Sequence, residues 1–158
     1  DWLSNNIPES DETTIVHGDY RLGNLIYDLN EPKVIAVLDW ELSTLGHPLA
    51  DLGYNLMLHE EDSDVRSGFS LKNLDLVKLG IPTKDYLVKK YCEMVNRDVV
   101  NPNYYIAFSM FRNVAILEGV LARGRAGNAS SSLAEEKGAL GKPIAKIAWD
   151  LVQHSKID

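Results

Sequence analysis

The 158-residue sequence holds a single cysteine, Cys92, which excludes an internal disulfide framework and a cysteine-rich zinc site. Long apolar runs are lacking too: none approaches the roughly 20 residues that cross a bilayer. Basic residues are in the minority. Lys and Arg total 16 against 23 Asp and Glu, so the net charge is −7, which argues against a partner bound through nucleic-acid phosphates. Neither G-x-x-x-x-G-K-[ST] nor G-x-G-x-x-G occurs, so two common phosphate-cradling loops are missing. The chain begins Asp1-Trp2-Leu3, with no initiator Met and no signal sequence, and the expectation is a piece cut from something longer.

What is present reads as one folded domain. With 45% hydrophobic and 25% charged residues, it is neither disordered nor membrane-spanning in composition. A chain this long buries roughly 68–70% of its unfolded surface, enough for a true core. Residues 1–13 are polar and turn-rich and read as a loop. Thr14-Ile15-Val16, Leu25-Ile26-Tyr27-Asp28 and Val34-Ile35-Ala36-Val37-Leu38 read as short strands. Asn30-Glu31-Pro32 between the last two predicts a hairpin. The unbroken apolar run Val34–Leu38 predicts burial on both faces.

After Trp40 the pattern turns helical. Gly46-His47-Pro48 predicts a helix start, with Pro48 in the first turn and the helix running over 48–59. The acidic run 60–64 and Ser67-Gly68 read as a solvated loop. Thr83 is placed to cap a helix over 84–97, and Leu87, Val88, Tyr91, Met94 and Val95 follow its period. Residues 103–123 have little polar face and predict a central, buried helix, ended by Gly124, Gly127 and Asn128. A last helix over 143–154 gathers Ile144, Ile147, Ala148, Leu151 and Val152 on one face. The fold class is therefore α+β and mostly helical, with a small hairpin and four to five helices.

The segment that carries chemistry is His17-Gly18-Asp19-Tyr20-Arg21-Leu22-Gly23-Asn24, followed by Asp39-Trp40-Glu41. A strand ends at Val16, and the polar loop after it presents Asp19. Asn24 leaves that loop, and the hairpin returns the chain to Asp39. Oxygen donors from Asn and Asp suit a hard cation such as Mg²⁺, which takes one or two protein ligands plus phosphate oxygens. Asp19 stays free to orient a hydroxyl and accept its proton, and Arg21 adds a fixed positive charge. Base, metal ligands and cation together are the equipment of phosphoryl transfer.

These residues resemble the catalytic segment of the aminoglycoside phosphotransferase and choline kinase-like family, which has a protein-kinase-like fold. Asp19 to Asn24 keeps the D-x-x-x-x-N spacing, and Asp39-Trp40-Glu41 is similar to the D-F-G segment. Gly46-His47-Pro48-Leu49-Ala50-Asp51-Leu52 resembles the helix that follows it. The wider stretch, with Phe111-Arg112-Asn113-Val114-Ala115-Ile116, is similar to the kinase-like domains attached to acyl-CoA dehydrogenase family members 10 and 11. The resemblance implies Asp19 as catalytic base and Asn24 and Asp39 as ligands of Mg²⁺ on ATP. It implies Arg21 at the γ-phosphate and Asp51 bracing the catalytic loop through backbone amides. Glu41 would face the same side as Asp39 if the strand continued and would help with metal or substrate.

Plainer readings stand beside these. His17 reads as structural, bonding the loop rather than moving protons, and Arg21 reads equally as a surface salt bridge. Trp40 reads as packing, Cys92 as a small buried apolar residue, and His47 and His59 as surface or capping residues. The aromatic residues of 104–111 read as core, with Tyr104 or Tyr105 able to line a substrate pocket. The acidic balance also suits a cationic substrate.

The resemblance implies a second, N-terminal lobe with the phosphate-covering loop and its Lys, and only sixteen residues precede His17. The expectation is therefore a single domain over 1–158, the C-terminal lobe of an ATP-dependent small-molecule kinase with a hydroxyl acceptor. The acceptor would be a hydroxyacyl-CoA or an aminoglycoside-like alcohol. The alternative is a non-catalytic binding or assembly module. Expected partners are the small-molecule substrate, the absent lobe and a second copy through the exposed lobe face, with neither nucleic acid nor membrane. The lone cysteine fits a reducing compartment such as the cytoplasm; a mitochondrial or peroxisomal home would also fit a eukaryotic source.

Overall fold

The computed structural model describes residues 1–10, 12–62 and 70–153. Two small antiparallel sheets form its β part. Strand β1 (Thr14–Val16) pairs with β4 (Thr44–Gly46), Ile15 lying opposite Leu45. Strand β2 (Leu25–Tyr27) pairs with β3 (Val34–Val37), with an irregularity between Ile26 and Tyr27. The hairpin is the one predicted at Asn30-Glu31-Pro32. Strand β4 was not expected, because its three residues follow a turn and carry too short a pattern to register.

The long helices fall where the periodicity puts them. They are α2 (Leu49–Leu56), α4 (Lys84–Met94), α5 (Asn103–Arg125) and α7 (Gly141–Gln153). Three short ones are added: α1 (Trp2–Asn5), α3 (Leu76–Leu79) and α6 (Ala134–Ala139). The first of these corrects the loop expected over 1–13. Trp2 lies 6.3 Å from Tyr104, ring centre to ring centre, and the Asn6 side chain donates to the Trp2 carbonyl, so one helical turn has both a packing partner and a cap. Thr83 caps α4 by accepting from the Tyr86 amide at 3.3 Å. That helix ends at Met94 rather than 97, and Asn96 sits at φ 53°, a left-handed position that Asn tolerates and a helix does not. The final helix begins two residues earlier than expected, and His154 lies outside the described residues.

The core lies where α2, α4, α5 and α7 meet. Leu56, Met57, Val88, Cys92, Ile106, Met110 and Ile144 are buried in one cluster, which confirms Cys92 as a small apolar residue. Helix α5 is central but unevenly buried. Its buried residues run from Tyr105 to Met110, while Phe111 and Ile116 are more than half exposed. It is also long and apolar enough to cross a membrane by length and composition, contrary to the expectation that no run comes near that length. Its packing against α2, α6 and α7 makes it the core helix of this fold.

Two expectations of burial are reversed. Val34 and Ile35 are exposed, and only Ala36 and Val37 are partly covered. No helix of the described chain lies over β3, so the apolar run has nothing to be buried against. Conversely, Glu61 is fully buried and Glu60 pairs with Lys84, so the start of the acidic run is not a solvated loop. The Glu60 and Glu61 amides both donate to the Met57 carbonyl at 3.0 Å. That one-turn continuation of α2 carries them inward behind Leu58. Ser63, Asp64, Ser67 and Gly68 lie outside the described residues.

Candidate active site

Pairing of β1 with β4 sets the loop after β1 beside the turn that precedes β4. Residues 17–24 and 38–43 therefore become neighbours, although about fifteen residues separate them. The Leu38 amide donates to the Asn24 carbonyl at 2.8 Å, which ties the two segments where one enters β2 and the other leaves β3.

Asp51, in the first turn of α2, accepts from the His17 amide at 2.6 Å and from the Gly18 amide at 2.9 Å. This is the loop brace that the sequence resemblance implies. The His17 ring is 2% exposed, and its two nitrogens are both used. The Asp19 amide donates to Nδ1 at 3.2 Å, which places the ring proton on Nε2 and makes Nε2 the donor to the Leu38 carbonyl at 2.7 Å. The Trp40 ring packs 4.8 Å from it. With both nitrogens committed to backbone, His17 is a structural residue that locks the two segments together. Gly18 sits at φ 84°, and a Cβ there would lie 2.5 Å from the Leu42 carbonyl oxygen, so both backbone angle and space require glycine.

Asp19 is held on several sides. The buried Asn24 amide nitrogen donates to its carboxylate at 2.8 Å and to its backbone carbonyl at 2.9 Å. Arg21 Nε donates to the same carboxylate oxygen at 3.1 Å. Burial alone raises the Asp19 pKa, but hydrogen bonds from Tyr54, Arg21 and Asn24, with the Arg21 charge, outweigh it and leave the carboxyl below its ordinary value. Arg21 in turn is raised, chiefly by its bond to Asp19, and it also feels Asp39. The two carboxylates and the guanidinium thus form one charge cluster, and Arg21 is placed on Asp19 rather than on a distant surface partner.

Asp39 adopts φ 61° and ψ 52°, an uncommon conformation that Asp tolerates better than most residues. Strand β3 has already ended, and Trp40–Leu42 form a 3-10 turn. Strand alternation therefore does not carry Glu41 to the side of Asp39, and its side chain is exposed. Asn24 spends its amide nitrogen on Asp19, which leaves its carbonyl Oδ1 as the remaining ligand atom. Asp39 offers an exposed carboxylate one residue beyond the Leu38–Asn24 tie. Two oxygen donors on adjoining backbone fit a hard cation that keeps waters and phosphate oxygens in its other positions. No three His, Cys, Asp or Glu side chains gather among the described residues, so an ion here would rest on these two residues and a bound phosphate.

Two side chains at the site escape sequence reasoning. Tyr54 hydrogen-bonds Asp19 from the third turn-position after Asp51 on α2, and Arg112 Nη2 on α5 donates to the Gly18 carbonyl at 2.9 Å. Helical spacing from Asp51 could have suggested Tyr54; nothing local points from Arg112 to a loop 94 residues away. Tyr104 and Tyr105 line a cavity of about 380 Å³ together with Gly18, Leu42, His47 and Arg112. Burial pushes the Tyr105 hydroxyl up to about 12, so it adds no charge there. His47 stacks on Tyr105 at 4.8 Å and caps α2 by accepting from the Leu49 amide. His59 Nε2 lies 3.3 Å from the Pro82 carbonyl.

Comparison with known proteins follows the same lines. A model of the phosphotransferase enzyme family matches residues 1–73, the stretch that contains every residue of the loop cluster. Mouse acyl-CoA dehydrogenase family member 10 is 44% identical over 150 residues, covering 94% of this chain and 14% of the mouse protein. Chicken acyl-CoA dehydrogenase family member 11 is 37% identical over 158 residues, covering 95% of this chain and 20% of its own length. The chain thus spans a fifth or less of these relatives. A crystal structure from Ralstonia eutropha, described as a "putative aminoglycoside phosphotransferase", superposes with a TM-score of 0.87 at 43% identity, over 98% of this chain and 47% of that one. The loop geometry, the family match over residues 1–73 and the superposition point the same way: this chain is similar to the phosphotransferase enzyme family and has the kinase-like fold of its structural relative.

Proposed function

We propose that this chain is the C-terminal, substrate-side lobe of an ATP-dependent phosphotransferase that moves the γ-phosphoryl group to a hydroxyl of a small molecule. The observation that carries this reading is Asp19, a carboxylate bonded by Asn24 and Arg21 on a loop braced by Asp51. Asp19 orients the acceptor hydroxyl and takes its proton. Asn24 and Asp39 hold Mg²⁺, which when bound neutralises charge on the ATP phosphates. Arg21, beside Asp19, faces the transferring group. His17 and Asp51 keep the loop in place. A cavity of about 650 Å³ lined by Tyr20, Asn55, Tyr91 and Arg97 adjoins the residue after Asp19 and gives room for an acceptor.

The relatives' names support an acyl acceptor, a hydroxyacyl group such as a hydroxyacyl-CoA; the structural relative's name supports an aminoglycoside-like alcohol instead. Phosphorylation assays on the full-length protein with both classes separate them, and transfer to the hydroxyacyl-CoA is the expected result. Transfer to neither class, at any acceptor hydroxyl, would favour a non-catalytic assembly module. The rest of the nucleotide site belongs to a second lobe. In calorimetric titration the isolated chain is expected to bind Mg-ATP weakly or not at all; micromolar binding would show that one lobe suffices.

The second lobe needs a docking face, and an apolar one is exposed. Ile15 and Leu45 are 68% and 71% exposed, and as a cross-strand pair they share a face of the β1–β4 ribbon. Val34 and Ile35 add to the exposed apolar area on β3. The isolated chain is therefore expected to self-associate through this face. A monomer mass independent of concentration in light scattering would contradict it.

A further inference from the structure

We infer that Arg112 is a positioning residue for phosphoryl transfer: from α5 it fixes the peptide unit that aims Asp19. This rests on the catalytic reading of Asp19 given above. The peptide plane between Gly18 and Asp19 sets the direction of the Asp19 side chain, because a peptide unit turns as one rigid group. Both of its polar atoms are held. The carbonyl oxygen accepts from Arg112 Nη2 at 2.9 Å, and the amide donates to His17 Nδ1 at 3.2 Å. The plane before it is held by Asp51, which accepts from the Gly18 amide.

Glycine at 18 makes this clamp necessary. Its φ of 84° and the close approach of Leu42 both require glycine here, yet glycine itself offers little resistance to rotation. A guanidinium that donates from a rigid helix supplies the restraint that the backbone lacks. Helix α5 is rigid at this point. Ser109 and Met110 are fully buried, and Gly53 lets α2 and α5 approach until a Cβ at Gly53 would lie 2.5 Å from the Tyr105 carbonyl carbon. The same block also presents Asp51 and Tyr54, so α2 and α5 together hold the loop amides, the loop carbonyl and the carboxylate.

Arg112→Met and Arg112→Lys, made in the full-length protein, test this. Displacement of a catalytic group by about 1 Å costs on the order of 10²-fold in rate. Arg112→Met is expected to lower kcat about that much while KM for Mg-ATP and for the acceptor stays within about twofold. Arg112→Lys keeps one donor and restores part of the loss. In an Asp19→Asn background, Arg112→Met costs little more, because the two act as a unit.

A loss that multiplies with Asp19→Asn, an unchanged kcat, or no recovery in Arg112→Lys would overturn the inference. An inactive wild-type enzyme would instead sink the catalytic reading, and amide hydrogen exchange then decides the clamp. Faster exchange at Gly18 and Asp19 in Arg112→Met, with α5 amides unchanged, upholds it; unchanged exchange at both refutes it.

Discussion

Asp19→Asn in the full-length protein is expected to lower kcat by about 10²–10⁴-fold, the range set by loss of a general base. That corresponds to about 3–5 kcal/mol of barrier. Asn is nearly the same shape, so the loop should keep its form: Asp51 still braces His17 and Gly18, and Arg112 still holds the Gly18 carbonyl. What goes is the negative charge and the ability to accept the hydroxyl proton. KM for Mg-ATP should change little, since Asn24 and Asp39 keep their oxygens. Steady-state kinetics with a melting curve as control makes the test. Turnover near that of the wild type, in a folded variant, would remove Asp19 from the base's role.

The pH dependence follows from the same surroundings. Burial pushes the Asp19 carboxyl up, while bonds from Tyr54, Arg21 and Asn24 and the Arg21 charge pull it down further. A base with a lowered pKa is already ionised below the ordinary carboxylate range, so the acid limb of the activity profile should lie there. Because the folded pKa is the lower one, the group adds stability that is present above its unfolded pKa and is lost as pH falls through the folded value. Arg21 is about half exposed, so its part in this is screened by solvent. The pH profile of Arg21→Gln should nonetheless show the acid limb moved towards neutral.

Most of this site is legible in sequence because it is built from short-range spacing. Asp19 and Asn24 are five residues apart, and the bond between them closes within one loop. Asp39 is found through the hairpin, whose turn residues are plain. What is not legible depends on which element packs on which. Glu41 is assigned by strand alternation, yet Asp39 turns the chain out of the strand, and a left-handed residue leaves no trace in an apolar pattern. Val34–Leu38 reads as buried because periodicity reports apolar character and not the presence of a covering layer. Glu61 reads as solvated for the converse reason, since charge does not reveal that the turn before it enters the core. Arg112 is invisible locally, because its partner is a backbone carbonyl across the fold.

The contact between α2 and α5 decides whether any of these groups meet, and Gly53→Val should expose that. Gly53 is buried within α2, and a Cβ there would stand 2.5 Å from the Tyr105 carbonyl carbon and 2.7 Å from its oxygen. These are backbone atoms of another helix, so no side chain can swing away; the helices must separate. Replacing a helical glycine usually gains up to about 1 kcal/mol of propensity, but overpacking costs typically 1–3 kcal/mol and more where the backbone must shift. Two extra methyl groups put Val at the upper end, for a net loss of about 2–4 kcal/mol. For a domain of this size, that lowers Tm by about 4–16 °C. Gly119→Ala is the control, because on the same α5 its nearest neighbour is the far end of Arg123 at 3.5 Å; it should be neutral or slightly stabilising. Since Asp51 and Tyr54 flank Gly53, the damaged contact should also loosen the loop, and faster amide exchange at Gly18 should accompany the lower melting point. A Gly53→Val protein that melts with the wild type would mean that the two helices are not held at this distance.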